Sequence, residues 1–152
     1  MGAGYKRPES ALVVIHTPDL QILLLERAKH PGYWQSVTGS REDGESFLET
    51  AIREVREETG LDIHQNQLRV WPGENVYTIM PEWRHRYAPD VTHNHERVFS
   101  LCLPTACDIQ TAPEEHRAWR WLPCEEAAAA CFSASNREAI LALKNMPPDP
   151  TP

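Results

Sequence analysis

Two apolar runs dominate the N-terminal third of the chain, residues 10–16 (SALVVIH) and 22–25 (ILLL). Neither alternates as a half-exposed strand does, so both read as strands buried on two faces. Thr17, Pro18 and Asp19 supply turn chemistry between them. Residues 26–35 carry Pro31 and Gly32 and read as a loop; a short strand at 35–38 (QSVT) then leads into Gly39. A polar loop, 40–45, follows. From Ser46 the pattern changes period: Leu48, Ala51, Ile52 and Val55 recur at i, i+3, i+4 and i+7, the apolar stripe of a helix. Ser46 and Glu49 fit a capping box at its start, and Gly60 suits its stop.

Further strands are expected at 67–71, 74–80, 96–103 and 117–122, with a long polar and aromatic loop at 81–95. Loops of that length are uncommon and often functional. Trp119 and Trp121 are expected on opposite sides of the last strand. Residues 124–132 and 136–146 read as helices, the second opening on a capping box from Ser135 to Glu138. Strands mixed with a few helices imply an α/β domain with a mixed sheet between helical layers. One domain over 1–146 accounts for the pattern, and the proline-rich end, 147–152, is expected to be disordered.

Composition narrows the setting. No apolar run approaches the roughly 18 residues of a membrane span, and Met1 to Pro8 has no apolar core to suggest a secretory signal. The net charge of −7 and the lack of a basic patch argue against nucleic acid as a partner. The four cysteines, at 102, 107, 124 and 131, form no C-x-x-C pair. They read as reduced structural thiols, Cys124 and Cys131 sharing a buried helical face. A cytoplasmic protein is the expectation; nothing fixes an oligomeric state.

The chemistry concentrates in residues 39–61, GSREDGESFLETAIREVREETGL. On a helix Glu54, Glu57 and Glu58 stand at i, i+3 and i+4 and share a face. Like charges this close repel and raise one another's pKa unless a cation intervenes. Mg²⁺ prefers oxygen ligands and commonly bridges carboxylates to phosphates. It would also resolve the approach of an anionic substrate to an anionic protein. A solvated acidic face is the alternative, supported by Glu49–Arg53 and Arg53–Glu57 at i, i+4. His93 and His95 alternate on a strand but lack a third ligand.

The same segment resembles the Nudix box, G-x5-E-x7-R-E-U-x-E-E-x-G-U with U aliphatic, at every defined position from Gly39 to Leu61. The resemblance implies a loop-helix-loop within an α/β/α sandwich around a mixed sheet, the Nudix fold. It implies a pyrophosphohydrolase using Mg²⁺, with Mn²⁺ as a possible substitute. Glu54 and Glu58 would be the main metal ligands, and Glu57 a further ligand or the base. Arg53 would orient the carboxylates, and Glu45 would support the loop.

Outside the box, residues 5–15, 33–40, 84–92, 115–122 and 135–140 resemble one Nudix subfamily, the bacterial dihydroneopterin triphosphate pyrophosphatases of folate biosynthesis. Gly60 and Leu61 follow the general box more faithfully than that subfamily does. The resemblance implies cleavage of a small-molecule triphosphate to a monophosphate and pyrophosphate. It makes Glu115 a further metal ligand or the base, though the residues alone do not prefer it to Glu114. It places Lys6, Arg27, Thr38, Tyr77, Thr78, Ile79, Met80 and Ser133 against the substrate. Tyr33, Trp34, Tyr77 and Trp83 are candidates to stack on a flat ring. Other readings are a dNTP or oxidised-nucleotide pyrophosphohydrolase and a non-catalytic nucleotide sensor.

Overall fold

The computed structural model describes residues 4–147. Its strands are β1 (Glu9–His16), β2 (Gln21–Arg27), β3 (Trp34–Gln35), β4 (Val37–Ser40), β5 (Leu68–Val70), β6 (Asn75–Thr78), β7 (His93–Cys102) and β8 (His116–Pro123). The helices are α1 (Phe47–Thr59), α2 (Cys124–Ala130) and α3 (Ala134–Ala142), with short 3-10 turns at Gln65–Gln67, Pro81–Arg86 and Leu143–Asn145. No helix among the described residues is long and apolar enough to cross a membrane.

The two apolar runs form the centre because they bury both faces. In β1, Ala11, Val13 and Ile15 join Leu23, Leu25, Val37, Ala51 and Val55 beneath α1. Leu12 and Val14, pointing the other way, join Ile22, Leu24, Ala127, Ala128 and Ile140 beneath α2 and α3. This is a mixed sheet between two helical layers, the expected α/β/α sandwich. β1 runs parallel to β7 along its whole length, from Glu9↔His95 to His16↔Cys102. Every other pairing between these strands is antiparallel, and an isolated parallel bridge joins Trp34 to Cys131.

One departure from regularity positions the site. β1 pairs with β2 only at His16↔Ile22. Its first half pairs instead with β4, from Ser10↔Ser40 to Val13↔Val37. The sheet therefore splits between β2 and β4 and opens a cleft at the N-terminal end of β1. The β2–β8 register shifts between Glu26 and Arg27, and an irregularity of that kind re-aims a side chain at a sheet's rim.

The ends of α1 follow the sequence reading. Ser46 Oγ accepts from Glu49 N at 3.1 Å, and Glu49 Oε1 accepts from Ser46 N at 2.8 Å. Gly60 adopts φ 76° and donates its N–H to Arg56 O, a left-handed cap that costs other residues about 1–2 kcal/mol.

Several expectations need correction. The strand at 35–38 is two strands, β3 and β4, and Gly39 lies inside the second. The 81–95 loop is partly ordered: 81–86 form a 3-10 turn, and β7 begins at His93. α3 is capped by Ser133, whose Oγ accepts from Asn136 N at 3.4 Å, not by Ser135. That earlier start places Asn136 where its side chain accepts from Ser36 N (2.8 Å) and donates to Ser36 Oγ (3.0 Å). Trp119 and Trp121 pack on the same core, under α1, because residues two apart on a strand share a face. None of the four cysteines is in a disulfide. Cys124 and Cys131 are both buried, but Cys131 lies beyond α2 in extended backbone, so no helical face joins them. Of the 147–152 tail only Pro147 is described, its carbonyl accepting from Arg69 Nη1 at 2.7 Å.

Candidate active site

The face of α1 that turns into the cleft carries Glu54, Glu57 and Glu58, and the structure separates their environments. Glu58 is 2% exposed. It accepts a backbone hydrogen bond from Thr38, while its Oε1 has no hydrogen-bond partner. Burial, followed by the neighbouring Glu54 and Glu115, pushes the Glu58 carboxyl well above the usual range. Glu54 is pushed up as well, first by burial. Two carboxyls in hydrogen-bond contact within a buried site cannot both ionise cheaply, so a cation between them would relieve the cost.

Arg53 organises the rest. Its Nε and Nη2 donate to the two Glu45 carboxylate oxygens at 2.6 and 3.0 Å, and Nη2 also reaches Ser40 O at 3.0 Å. Nη1 donates to Glu54 Oε1 at 2.7 Å and to Glu57 Oε1 at 3.1 Å. Glu45 in turn accepts from Glu42 N and Thr50 Oγ1, both at 2.9 Å. The Arg53 hydrogen bonds, with these others in support, hold the Glu45 carboxyl down at about 2. The guanidinium thus ties the 40–45 loop to two of the three helical carboxylates, the planar bidentate role that suits arginine over lysine.

Gly39 is needed for a separate reason. A Cβ built on it would overlap the Glu54 carboxylate. The β4 backbone and the Glu54 side chain meet where only glycine leaves room.

Among the described residues no three His, Cys, Asp or Glu side chains stand as a ready metal cage. Glu57 is held on Arg53, with its side chain 49% exposed. The Glu54–Glu58 pair nonetheless fits a hard divalent cation. It offers buried carboxylate oxygens, one of them without a partner, and a destabilised anionic state that such a cation would relieve.

Opposite the acids stands a cationic wall. Lys6 N donates to Arg86 O at 2.9 Å, which ties the N-terminal segment to the 81–86 turn. Burial and then Arg86 lower the Lys6 ammonium from its usual range. Arg27 is likewise lowered, by burial first and Arg86 next, and its Nε has no hydrogen-bond partner. Its guanidinium lies 5.1 Å from the Trp83 ring centroid, and Nη1 donates to Gln35 Oε1 at 3.4 Å. Gln35 Nε2 lies 3.1 Å from His116 Nε2. Burial and Arg27 hold the His116 imidazole at about 4, so near neutral pH it is uncharged and accepts that bond. Three cations crowded at a partly buried surface lack sufficient counter-charge, which a polyphosphate would supply.

The acidic face and the wall enclose a cavity of about 680 Å³ that contains Arg53, Glu54, Glu57, Glu58, Glu114 and Glu115. Of the last two, Glu115 acts on Glu58 and Arg27. A second recess, about 360 Å³, adjoins it; Lys6, Arg27, Thr38 and Arg86 line both. Tyr77, Thr78, Ile79, Met80 and Ser133 line the recess, with Trp83 and Phe132 as aromatic walls. Tyr33 stacks on Phe132 at 4.7 Å from behind, and Trp34 lies under Arg120 at 5.3 Å. Neither lines the two cavities, so stacking on a ligand there falls to Tyr77, Trp83 and Phe132. His93 and His95 are exposed on β7; His95 Nδ1 faces Glu74 at 3.0 Å.

Of the residues singled out from the sequence, Arg53, Glu54, Glu57, Glu58 and Glu115 line the first cavity, Tyr77 to Met80, Trp83 and Ser133 the second, and Lys6, Arg27 and Thr38 both, whereas Tyr33, Trp34, Glu45, His93 and His95 line neither. Sequence reasoning missed Gln35, Arg86, Asn94, Glu96, His116 and Phe132. Gln35, Arg86 and His116 sat inside stretches matched to the subfamily, and Phe132 is next to Ser133. No periodicity distinguishes Asn94 and Glu96, because they join the site only through tertiary pairing.

A loop-helix-loop of this chemistry, set in this sandwich, defines a class: the family model for the NUDIX domain matches residues 6–143, and the chain belongs to the Nudix family of hydrolases. Members of that family generally need a divalent metal ion. The chain is 45% identical over 139 residues to the dihydroneopterin triphosphate diphosphatase of Escherichia coli (strain K12), with 90% of this chain and 91% of that one covered. It is 39% identical to the Haemophilus influenzae protein of the same name, covering 90% and 87%. The solved E. coli dihydroneopterin triphosphate pyrophosphohydrolase superposes with a TM-score of 0.86 at 44% identity, over 93% of this chain and 99% of that one.

Proposed function

We propose that this chain is a Mg²⁺-dependent pyrophosphohydrolase that converts dihydroneopterin triphosphate to dihydroneopterin monophosphate and pyrophosphate. The observation that carries the reading is that the buried Glu54–Glu58 pair and the Lys6–Arg27–Arg86 wall line one cavity. The names of the similar proteins supply the ring. The 1–146 segment acts as one domain, and we read it as a cytoplasmic enzyme acting on a small molecule.

Glu54 and Glu58 are the metal ligands in this proposal, with Glu57 and Glu115 as further candidates. Bound there, Mg²⁺, or Mn²⁺ in its place, would offset phosphate charge and favour ionisation of water. Arg53 fixes the carboxylates, so little reorganisation accompanies the reaction. Lys6 and Arg27 neutralise the triphosphate, and Thr38 borders it beside Glu58. Tyr77 to Met80 and Ser133 shape the ring end. Water attacks phosphorus, the bond to a bridging oxygen breaks, and the attacking water loses a proton to a carboxylate. Glu115 suits that role better than Glu57, because the Glu57 oxygens are engaged by Arg53 at 3.1 and 3.3 Å. Positioning and charge stabilisation supply most of the rate, as in phosphoryl transfer generally.

A panel of dihydroneopterin triphosphate, dGTP, 8-oxo-dGTP and dATP, each with Mg²⁺ and with chelator, tests this. The pterin triphosphate should show the highest kcat/KM, and chelator should abolish turnover. A nucleotide outranking it would make the protein a nucleotide clean-up enzyme. No pyrophosphate from any member would leave a ligand-binding domain.

A further inference from the structure

The ring recess contains a buried acid that the phosphate chemistry does not use. Glu96 is 3% exposed, lines the recess, and forms no ion pair with any lysine or arginine among the described residues. Asn75 Nδ2 donates to its Oε1 at 3.2 Å, and Ser135 also bonds to it. A carboxylate has about four acceptor positions, so capacity remains. Burial pushes this carboxyl upward, the signature of an acid whose counter-charge is missing.

Asn94 lies two residues earlier on β7, on the same face, and is 2% exposed. Its Nδ2 donates to Ser10 Oγ at 2.8 Å and to Tyr77 OH at 3.1 Å. Both amide hydrogens are thereby used, while Oδ1 is buried without a partner. The recess thus offers two under-used acceptors, one acidic, on one strand face beside Trp83 and Phe132. Buried acceptors are normally satisfied. A flat ligand presenting adjacent N–H donors would satisfy these.

We propose that Glu96, with Asn94, reads the N–H donor edge of a 2-amino-4-oxopyrimidine ring, making it the specificity-determining residue of the recess. This rests on the pyrophosphohydrolase reading and deepens it. The substrate class becomes triphosphates whose ring carries a 2-amino group beside a ring N–H, an edge that dihydropterin and guanine share. Adenine and cytosine lack that pair, and hypoxanthine lacks the amino group alone. Such discrimination is strong when a site built to accept an N–H is left unpaired by the wrong ligand.

The test compares dGTP with dITP, which differ only in the 2-amino group. Wild-type protein should prefer dGTP by roughly 10- to 100-fold in kcat/KM. Glu96→Gln should bring the two within about threefold, by a larger loss on dGTP than on dITP. Asn75→Ala removes a partner of Glu96 from outside the recess and should keep the wild-type preference. A preference that survives Glu96→Gln, or one lost equally in Asn75→Ala, overturns the proposal. Should Glu96→Gln fail to fold, binding by metal-free wild-type protein decides: neopterin should bind at least about tenfold tighter than its 2-oxo counterpart, and equal binding overturns the proposal. Wild-type protein that releases no pyrophosphate sinks the enzymatic reading instead, and the binding comparison still judges Glu96.

Discussion

The two halves of the cleft are built on opposite plans. The acidic half comes almost entirely from residues 39–58, one strand end, one loop and one helix. Its side chains are joined by Arg53 into a network whose partners lie within twenty residues. The ring recess draws on β1, β6, β7, the 81–86 turn and the N-terminus of α3, segments up to about 125 residues apart. Bond-breaking chemistry needs fixed carboxylate geometry, and a short rigid motif supplies it. Ring recognition needs a shaped hollow, which only the assembled fold provides. Damage to the first half should therefore stop turnover, whereas damage to the second should change which substrate is turned over.

The largest effect is expected at Glu58. Glu58→Gln keeps shape and removes a charge, and should lower kcat by about three orders of magnitude or more, since a catalytic metal site supplies several kcal/mol. The same change should stabilise the metal-free protein. The Glu58 carboxyl is raised when folded, so the folded chain keeps a proton that the unfolded chain has released. Stability is then lost as pH rises from 4.5 through the folded value. Melting curves in chelator between pH 5 and 9 should fall with pH for wild type and flatten for Glu58→Gln. Glu45 has the opposite sign: held at about 2, it contributes stability above 4.5 that disappears as pH drops toward 2, in both proteins. A variant with near-wild-type kcat removes Glu58 from the mechanism.

That asymmetry explains what the sequence made legible. The two-sided apolar runs set β1 and β2, and the capping box and Gly60 set α1, because those signals are local. The carboxylates on one turn of α1 were readable for the same reason. Arg53 was assigned to the carboxylates through the box resemblance, and the structure adds its link to Glu45 and Ser40. The recess was not readable from the residues. Tyr77 to Met80 and Ser133 came only through resemblance, and Asn94 and Glu96 look like ordinary polar alternation on a strand. The split of 35–38 into two strands also escaped, since it depends on β4 displacing β2 from the first half of β1. The failed Ser135 cap has the same cause. Burial of Asn136 against Ser36, a hundred residues away, chose Ser133 over a good local alternative.

Gly39→Ala sharpens the comparison from within the acidic half. The added methyl meets the Glu54 carboxylate, so Glu54 must swing away from Glu58 and Arg53. Displacing a supporting contact of a metal ligand costs about 10- to 100-fold in metal affinity or activity. Overpacking should also destabilise the fold by about 1–3 kcal/mol. A Mg²⁺ titration of activity should show a raised midpoint as well as a lower plateau. An unchanged Mg²⁺ midpoint would mean that Glu54 need not sit where the structure holds it.

The smallest of these effects should come from Trp83, and it probes whether the halves are as separate as their construction suggests. Trp83 packs edge-on to Phe132 at 5.4 Å and lies beneath the Arg27 guanidinium at 5.1 Å. It therefore touches both halves, walling the recess and steadying a cation of the phosphate wall. If its role is to hold the ring, Trp83→Ala should raise KM roughly tenfold, as loss of a stacking partner does, with kcat within about threefold of wild type. Trp83→Phe keeps an aromatic face and should recover most of the loss. If Arg27 depends on that face to meet the triphosphate, kcat must fall along with the rise in KM, because a misplaced cation weakens stabilisation of the reacting phosphate. A kcat loss matching the KM rise would therefore show that recognition and chemistry are coupled through one indole ring.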